Sequence, residues 1–312
     1  MASPSDDDRA ARRLGSAFLA IVVVTYGLLV FGASVRVHGA GLSCPDWPLC
    51  FGEVIPRLDF RIFLEWGHRV LASMVSIGFL TAGGLALARK DTRARVGALI
   101  GAAVLALALQ IVLGGLTVLH LLAFWSVTLH LLTGNLFCNL LLLIGLRLRA
   151  AGAPLSGPVT PRLRGLGVVL IGAVFVQLGL GGLVASNYAG MACTEWPTCN
   201  GGVWFPTFTG IVGLQLFHRL GAYAVAALAL TFWWTARGSV AERPANVVLG
   251  LVAVQVGLGI ANVLLAMPVE LAILHSAVAD LILLSSVWSV NRVYAAVTSP
   301  EVRDASPSIR PA

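Results

Sequence analysis

Apolar residues run along this chain in eight long blocks, at about 14–36, 62–88, 96–119, 123–147, 165–187, 210–236, 245–266 and 269–292, parted by short polar stretches. About 20 apolar residues in helical conformation cross a bilayer. The pattern therefore predicts an all-α integral membrane protein with eight transmembrane helices. The connections at 119–123 and 266–269 are tight, the second broken by Pro268.

Composition agrees with this. The chain is 58% hydrophobic and only 11% charged, too little charge to cover a soluble globule. A net charge of +7 would suit a nucleic-acid partner, but its placement rules against one. Sixteen of the 21 basic residues fall on one side of the predicted membrane: Arg9, Arg12 and Arg13; Arg89, Lys90, Arg93 and Arg95; Arg147, Arg149, Arg162 and Arg164; Arg237 and Arg243; Arg292, Arg303 and Arg310. Arg36, Arg57, Arg61, Arg69 and Arg219 lie toward the other side. By the positive-inside rule both termini are expected in the cytoplasm. Asp6, Asp7 and Asp8 precede the first arginines and a full-length span follows, so no cleavable signal peptide is expected.

The chain repeats itself. Gly41-Leu-Ser-Cys44-Pro-Asp-Trp-Pro-Leu-Cys50 matches Gly190-Met-Ala-Cys193-Thr-Glu-Trp-Pro-Thr-Cys199, both reading Cys-x-x-Trp-Pro-x-Cys. Glu65-Trp-Gly-His68-Arg69 then matches Gln215-Leu-Phe-His218-Arg219. Gln110, Gln177 and Gln255 each stand four residues before a glycine and read as helix-packing devices. Two halves of four helices, 14–149 and 165–292, follow, with tails at 1–13 and 293–312 and a linker at 150–164. An even helix count per half makes the repeats parallel, related by an axis along the membrane normal.

Four histidines lie inside spans: His68, His130, His218 and His275. All are on even-numbered helices, six to eight residues from the outer end, or about 10 Å down at 1.5 Å per residue. One such histidine is commonly just a polar helix contact. Four at one depth, two per repeat, point to a shared task. Neutral imidazole is a strong axial ligand for haem iron, and a bundle interior is where such a cofactor is held. Zinc would need four ligands converging on one point; two pairs suit two haems better. His38 and His120 sit at outer helix ends instead.

The loops carrying Cys44/Cys50 and Cys193/Cys199 are expected outside, where disulfides persist. The spacing reads first as a structural disulfide in each loop. A redox role stays open, although redox dithiols are usually closer in sequence. Cys138, in an apolar run, reads as a small buried hydrophobe.

Glu65 precedes His68 by three residues and shares its helix face. It is either an ion-pair partner of Arg69 or a carboxylate beside a haem-sized pocket. The second repeat has Gln215 there, so the half with Glu65 is the better place for chemistry. Asp280 follows His275 by five residues, as Asn135 follows His130; the sequence assigns Asp280 no role. Arg36 is either an interface anchor or a contact for a haem propionate, since guanidinium suits carboxylates.

Taken together, Val-Arg36 before the first cysteine loop, Glu65-x-x-His68-Arg69, His130, the second cysteine pair, His218-Arg219, and Leu-Gly259-Ile-Ala-Asn262 before His275 resemble the haem A synthases, of the bacterial type with two cysteine pairs. The resemblance covers about 15–292. It departs at Val37-His38-Gly39-Ala40, where the family more often has Thr and Ser. It implies an oxidoreductase of the plasma membrane that converts haem O to haem A, oxidising a methyl group to a formyl group by successive hydroxylations, for use by terminal cytochrome oxidase. It further implies haem b as cofactor on His218 and His275, substrate haem O on His68 and His130, and Glu65 as the residue essential for turnover. Haem O synthase and an electron-transfer protein are the partners it suggests, with a homo-oligomer left open. The rival readings are a non-enzymatic diheme electron carrier, which needs no carboxylate in one half alone, and a transporter with histidine-coupled protons.

Overall fold

The structure is a computed structural model and describes residues 6–150 and 159–297. Eight long helices form among them: α1 Asp6–Val37, α2 Phe60–Ala88, α3 Lys90–Leu119, α4 Phe124–Arg149, α5 Pro161–Ser186, α6 Gly210–Ala236, α7 Glu242–Leu264 and α8 Val269–Val297. All eight are long and apolar enough to cross a membrane. The outermost parts of the two expected tails, at 1–5 and 298–312, and most of the linker, at 151–158, lie outside the described residues, as do Arg303 and Arg310.

The helices are longer than apolar length alone suggests. α1 begins at Asp6 rather than at 14, and α8 runs on to Val297, so parts of both expected tails are helical. Asp6, Asp7 and Asp8 occupy the first turn of α1, where carboxylates meet the positive end of the helix dipole. Asp7 and Asp8 also pair with Arg89 at 2.6 Å and Arg95 at 3.6 Å, tying the start of α1 to the α2–α3 turn. Thr160 caps α5 by accepting from Leu163 N–H, and Pro161 fills the first helical position.

The two tight turns are copies. Leu121 and Leu122 after α3, and Ala266 and Met267 after α7, all take positive φ near 50–61°. Leu122 N–H reaches back to the Thr117 carbonyl at 2.8 Å, and Met267 N–H to that of Asn262 at 2.7 Å. The helix carbonyls at these ends are thereby satisfied within a four-residue link.

Each half has its own apolar core. Phe18, Phe79, Phe137, Ile100 and Leu141 fill the first, with Phe79 and Phe137 edge to face at 5.2 Å; Leu170, Phe232, Val248 and Ile282 belong to the second. α1 packs on α4, and across the halves α1 meets α8, α4 meets α5, and α4 meets α8. α4 and α8 are thus the central pair. Gly15 and Gly145 let α1 and α4 close: a methyl on Gly15 would stand 2.9 Å from the Gly145 carbonyl oxygen. Close backbone approach is the usual source of packing energy between helices in lipid.

Polar groups also join the halves. Tyr26 on α1 donates to the Ala277 carbonyl on α8 at 3.3 Å, and Thr128 meets Ser186 at 3.4 Å. Asp280 on α8 lies against Asn135 on α4. These two residues are repeat counterparts, so they meet where the two halves face one another, and the acid that the sequence left without a role lies in this junction.

Candidate functional site

Both cysteine loops cover the bundle end opposite the start of α1, and each is closed by a disulfide. Cys44–Cys50 and Cys193–Cys199 have Cα–Cα distances of 4.7 and 4.4 Å, and all four cysteines are buried. Trp47–Pro48 and Trp196–Pro197 are cis in both loops.

What holds the loops down was not legible in the sequence. Arg69 donates to the carbonyls of Cys44, Asp46 and Leu49 at 3.4, 2.8 and 2.6 Å. Arg219 donates to those of Cys193, Glu195 and Thr198 at 3.1, 2.9 and 2.9 Å. These are the same three positions in each repeat. The arginine that follows each intramembrane histidine is therefore a hook on the loop above it, with a planar fork of donors suited to several carbonyls at once. The only signal available beforehand was the repeated His-Arg pair itself.

Inside each loop a carboxylate does the complementary task. Asp46 accepts from Phe51 and Gly52 N–H at 2.6 and 2.8 Å; Glu195 accepts from Gly201 and Gly202 N–H at 3.1 and 3.0 Å. The Gly52 N–H bond, with those of Phe51 and the nearby Arg69, holds Asp46 below the usual carboxylate range. The Gly202 N–H bond, then the Thr198 hydroxyl and the Gly201 N–H, does so for Glu195. Because these acids titrate lower folded than unfolded, the stability they add is fully present above the ordinary carboxylate range and is lost as pH falls below it. Hydrogen exchange of the Phe51–Gly52 segment should show the same protection factor at pH 8 and pH 5, declining only in stronger acid. Asp46→Asn should lower protection at every pH and remove the acid step; an acid step that persists in this variant counts against the assignment.

Glu65 is buried one turn before His68. Its Oε2 accepts from Cys44 N–H at 2.8 Å and its Oε1 pairs with Arg69 at 2.5 Å. At the matching place Gln215 donates to the Gly190 carbonyl at 3.0 Å. The ion pair expected from the sequence is present, and Glu65 additionally binds the backbone of a bridged cysteine. The carboxylate thus links the histidine helix to the loop.

His68 and His218 each stand eight residues after the first residue of α2 and α6, while His130 and His275 each stand six after that of α4 and α8. The structure brings them together in the two expected pairs. His218 and His275 face one another with ring centres 6.4 Å apart and planes at 68°. His68 and His130 are close enough to interact electrostatically. Each ring is partly buried, and the Nδ1 atoms of His68, His130 and His275 are buried with no hydrogen-bond partner.

The rings themselves test whether these residues suit a haem. Two imidazoles on opposite faces of one metal ion, at about 2 Å per metal–nitrogen bond, have ring centres about 6 Å apart. The second pair meets that spacing. Gln177 lies 3.1 Å from His218 Nδ1, and its own Oε1 has no partner. The amide nitrogen also donates to the His218 carbonyl at 2.8 Å, which fixes the orientation of the amide. In the first half, Gln110 Nε2 lies 3.2 Å from His130 Nε2 itself. The spacing of the second pair fits the group, and Gln110 and Gln177 meet different ring nitrogens of their histidines.

The other candidates are placed differently. Arg36 reaches out of its own half and donates to Ser276 Oγ on α8 at 3.3 Å, beside His275. His38 bonds the Ser34 carbonyl at 2.9 Å and lies edge-on to Phe60; His120 lies edge-on to Trp125. These two are held locally at helix ends. Cys138 is a buried free thiol, as expected.

A family model described as cytochrome oxidase assembly protein matches residues 16–62 and 57–287. Among curated proteins, the chain is 31% identical over 308 residues to a haem A synthase of Shewanella oneidensis, covering 85% of this chain and 92% of that one. It is 32% identical to a haem A synthase of a Methylobacterium species, covering 88% and 92%. It is 33% identical to that of Symbiobacterium thermophilum, covering 80% and 85%.

Proposed function

The chain belongs to the cytochrome oxidase assembly protein family, and from that premise we propose that it is a haem A synthase of the cell membrane. It oxidises the methyl group of haem O to the formyl group of haem A, through two hydroxylations at one carbon and loss of water from the resulting hydrate, each hydroxylation being a two-electron oxidation that an external oxidant must drive. The observation that carries this reading is the unequal pair of histidine sites. His218 and His275 stand at a ring spacing that would let both hold one metal ion, whereas in the other half His130 Nε2 is engaged by Gln110 and only that half has a carboxylate, Glu65, one turn from its histidine.

In this reading His218 and His275 hold haem b, which when bound supplies one-electron transfer. His68 and His130 receive haem O as substrate. Glu65, the assigned catalytic carboxylate, is fixed in place by Cys44 N–H and Arg69, and offers a negative charge or a proton acceptor at the outer end of the substrate half. Arg36, beside His275, offers its guanidinium to a propionate of the haem in the opposite half. In this reading both termini lie in the cytoplasm and the cysteine loops outside, which the basic loops support and the disulfides suit.

The test is direct. The protein is expressed in cells supplied with haem O, and the haems are extracted and separated. Haem A, or its hydroxylated precursor, is expected. Protein loaded with haem b that yields neither would overturn the reading in favour of a diheme electron carrier.

A further inference from the structure

Each of the four intramembrane imidazoles turns its Cε1 edge to a glycine on the helix before it. A methyl group on Gly32, Gly114, Gly181 or Gly259 would stand 3.1, 3.2, 3.2 or 3.3 Å from Cε1 of His68, His130, His218 or His275. The ring rests on bare backbone in all four places. One turn before three of these glycines stands a glutamine whose amide holds the same histidine. Gln177 donates to the His218 carbonyl at 2.8 Å and contacts the ring. Gln255 donates to the His275 carbonyl at 3.0 Å, and Gln110 contacts the His130 ring. The fourth helix, α1, has Leu28 at that place. The fit is built on both sides, since the Gln177 amide oxygen occupies the space that a side chain at Gly221 would need.

We propose that the Gln-x-x-x-Gly elements of α5 and α7 position the imidazoles of His218 and His275, and that His68, backed by glycine alone, is the substrate ligand made to let go. This rests on the haem-ligation reading above. The glycine sets how far the ring can retreat, and the glutamine fixes the turn that carries it. Water does not compete for such amide bonds inside a bilayer, so they persist. A resident haem needs two ligands held in place. A substrate that must leave as product is better served by a ligand held less firmly. The repeat supplies that difference through a single departure, Leu28 where its counterpart is Gln177.

The experiment reads haem occupancy, the low-spin ferric electron paramagnetic resonance signal and the midpoint potential of purified protein. Gln177→Leu makes His218 resemble His68, and Gly259→Ala pushes on His275. Each is expected to lower retention of the resident haem about tenfold on washing, the size typical of losing a group that orients a metal ligand, and to shift the resonance of what remains. Gly257→Ala, on the same helix with no heavy atom within 4 Å of the added methyl, should match wild type. Leu28→Gln should slow release of haem O and haem A from the loaded protein by a similar factor. Wild-type occupancy, resonance and potential in both Gln177→Leu and Gly259→Ala overturn the positioning role. Unchanged release in Leu28→Gln overturns the loose-ligand role. His218→Ala separates the two readings: if it too leaves the resident haem unaltered, the ligation reading fails; if it strips the haem while the other variants do nothing, only the present inference fails.

Discussion

Glu65→Gln should cut haem A formation by about a hundredfold or more, the lower range for loss of a positioned acid–base group, while haem b content stays at the wild-type level. The substitution keeps the shape of the side chain and removes its charge. Two observations make the loss large. Glu65 is a point where the matched halves differ, and it is buried with both oxygens engaged, by Cys44 N–H and by Arg69. An amide there offers one acceptor where two are used, and its NH2 group faces a donor. The buried guanidinium loses its counter-charge, which is costly in a dry site. Some loosening of the first cysteine loop is therefore expected as well. Exchange protection of the Cys44 segment measures that part separately. If loop protection falls but turnover is near wild type, Glu65 is a clamp on the loop and not part of the chemistry.

His275→Ala should remove the resident haem, with haem b per protein falling tenfold or more, by analogy with the roughly 10- to 100-fold cost of disturbing even the groups around a metal ligand. Its ring stands 6.4 Å from that of His218, and no other described histidine is on that side of the bundle to replace it. Turnover should be lost with the haem. Added imidazole, small enough to enter the space left by the ring, should restore part of the low-spin spectrum if the protein is folded and lacks only its ligand. A variant that keeps wild-type haem content and spectrum would show that His275 is a polar helix contact. His130→Ala should instead leave haem b in place, because it belongs to the other half. That contrast checks the division of labour between the pairs.

Much of this was readable from the chain because lipid imposes a strict rule. Every backbone group must be satisfied internally, so a long apolar run has few options besides a helix. The largest differences in helix boundary lie where polar residues extend a helix past its apolar part, as Asp6–Asp8 do by charging the dipole of α1. The site residues were legible for a related reason. An intramembrane histidine is costly, and a duplicated chain prints each costly residue twice, so His68 and His218, or Asp46 and Glu195, identify one another. The glutamines were seen but read as generic packing, because one residue letter does not say which neighbour its amide meets. Arg69 and Arg219 were likewise seen without their partners, which lie 20–26 residues away in the chain. Arg36 was read as an interface anchor or a propionate contact, with nothing to say which half it reaches.

The sequence by itself determined the membrane class, the eight helices, the twofold repeat, the cysteine pairing and the identities of the four histidines. These follow from local periodicity, from the high cost of polar groups in lipid, and from duplicated motifs. Only the tertiary structure decided that Arg36 stands beside the other half's histidine, that Asp280 and Asn135 meet where the halves join, that the arginines hook the cysteine loops, and that glycine and glutamine hold the imidazoles. Each of these is a contact between distant segments. Its existence depends on the angle and rotation at which helices pack, and those are set by many close-packed side chains together rather than by any stretch of chain alone.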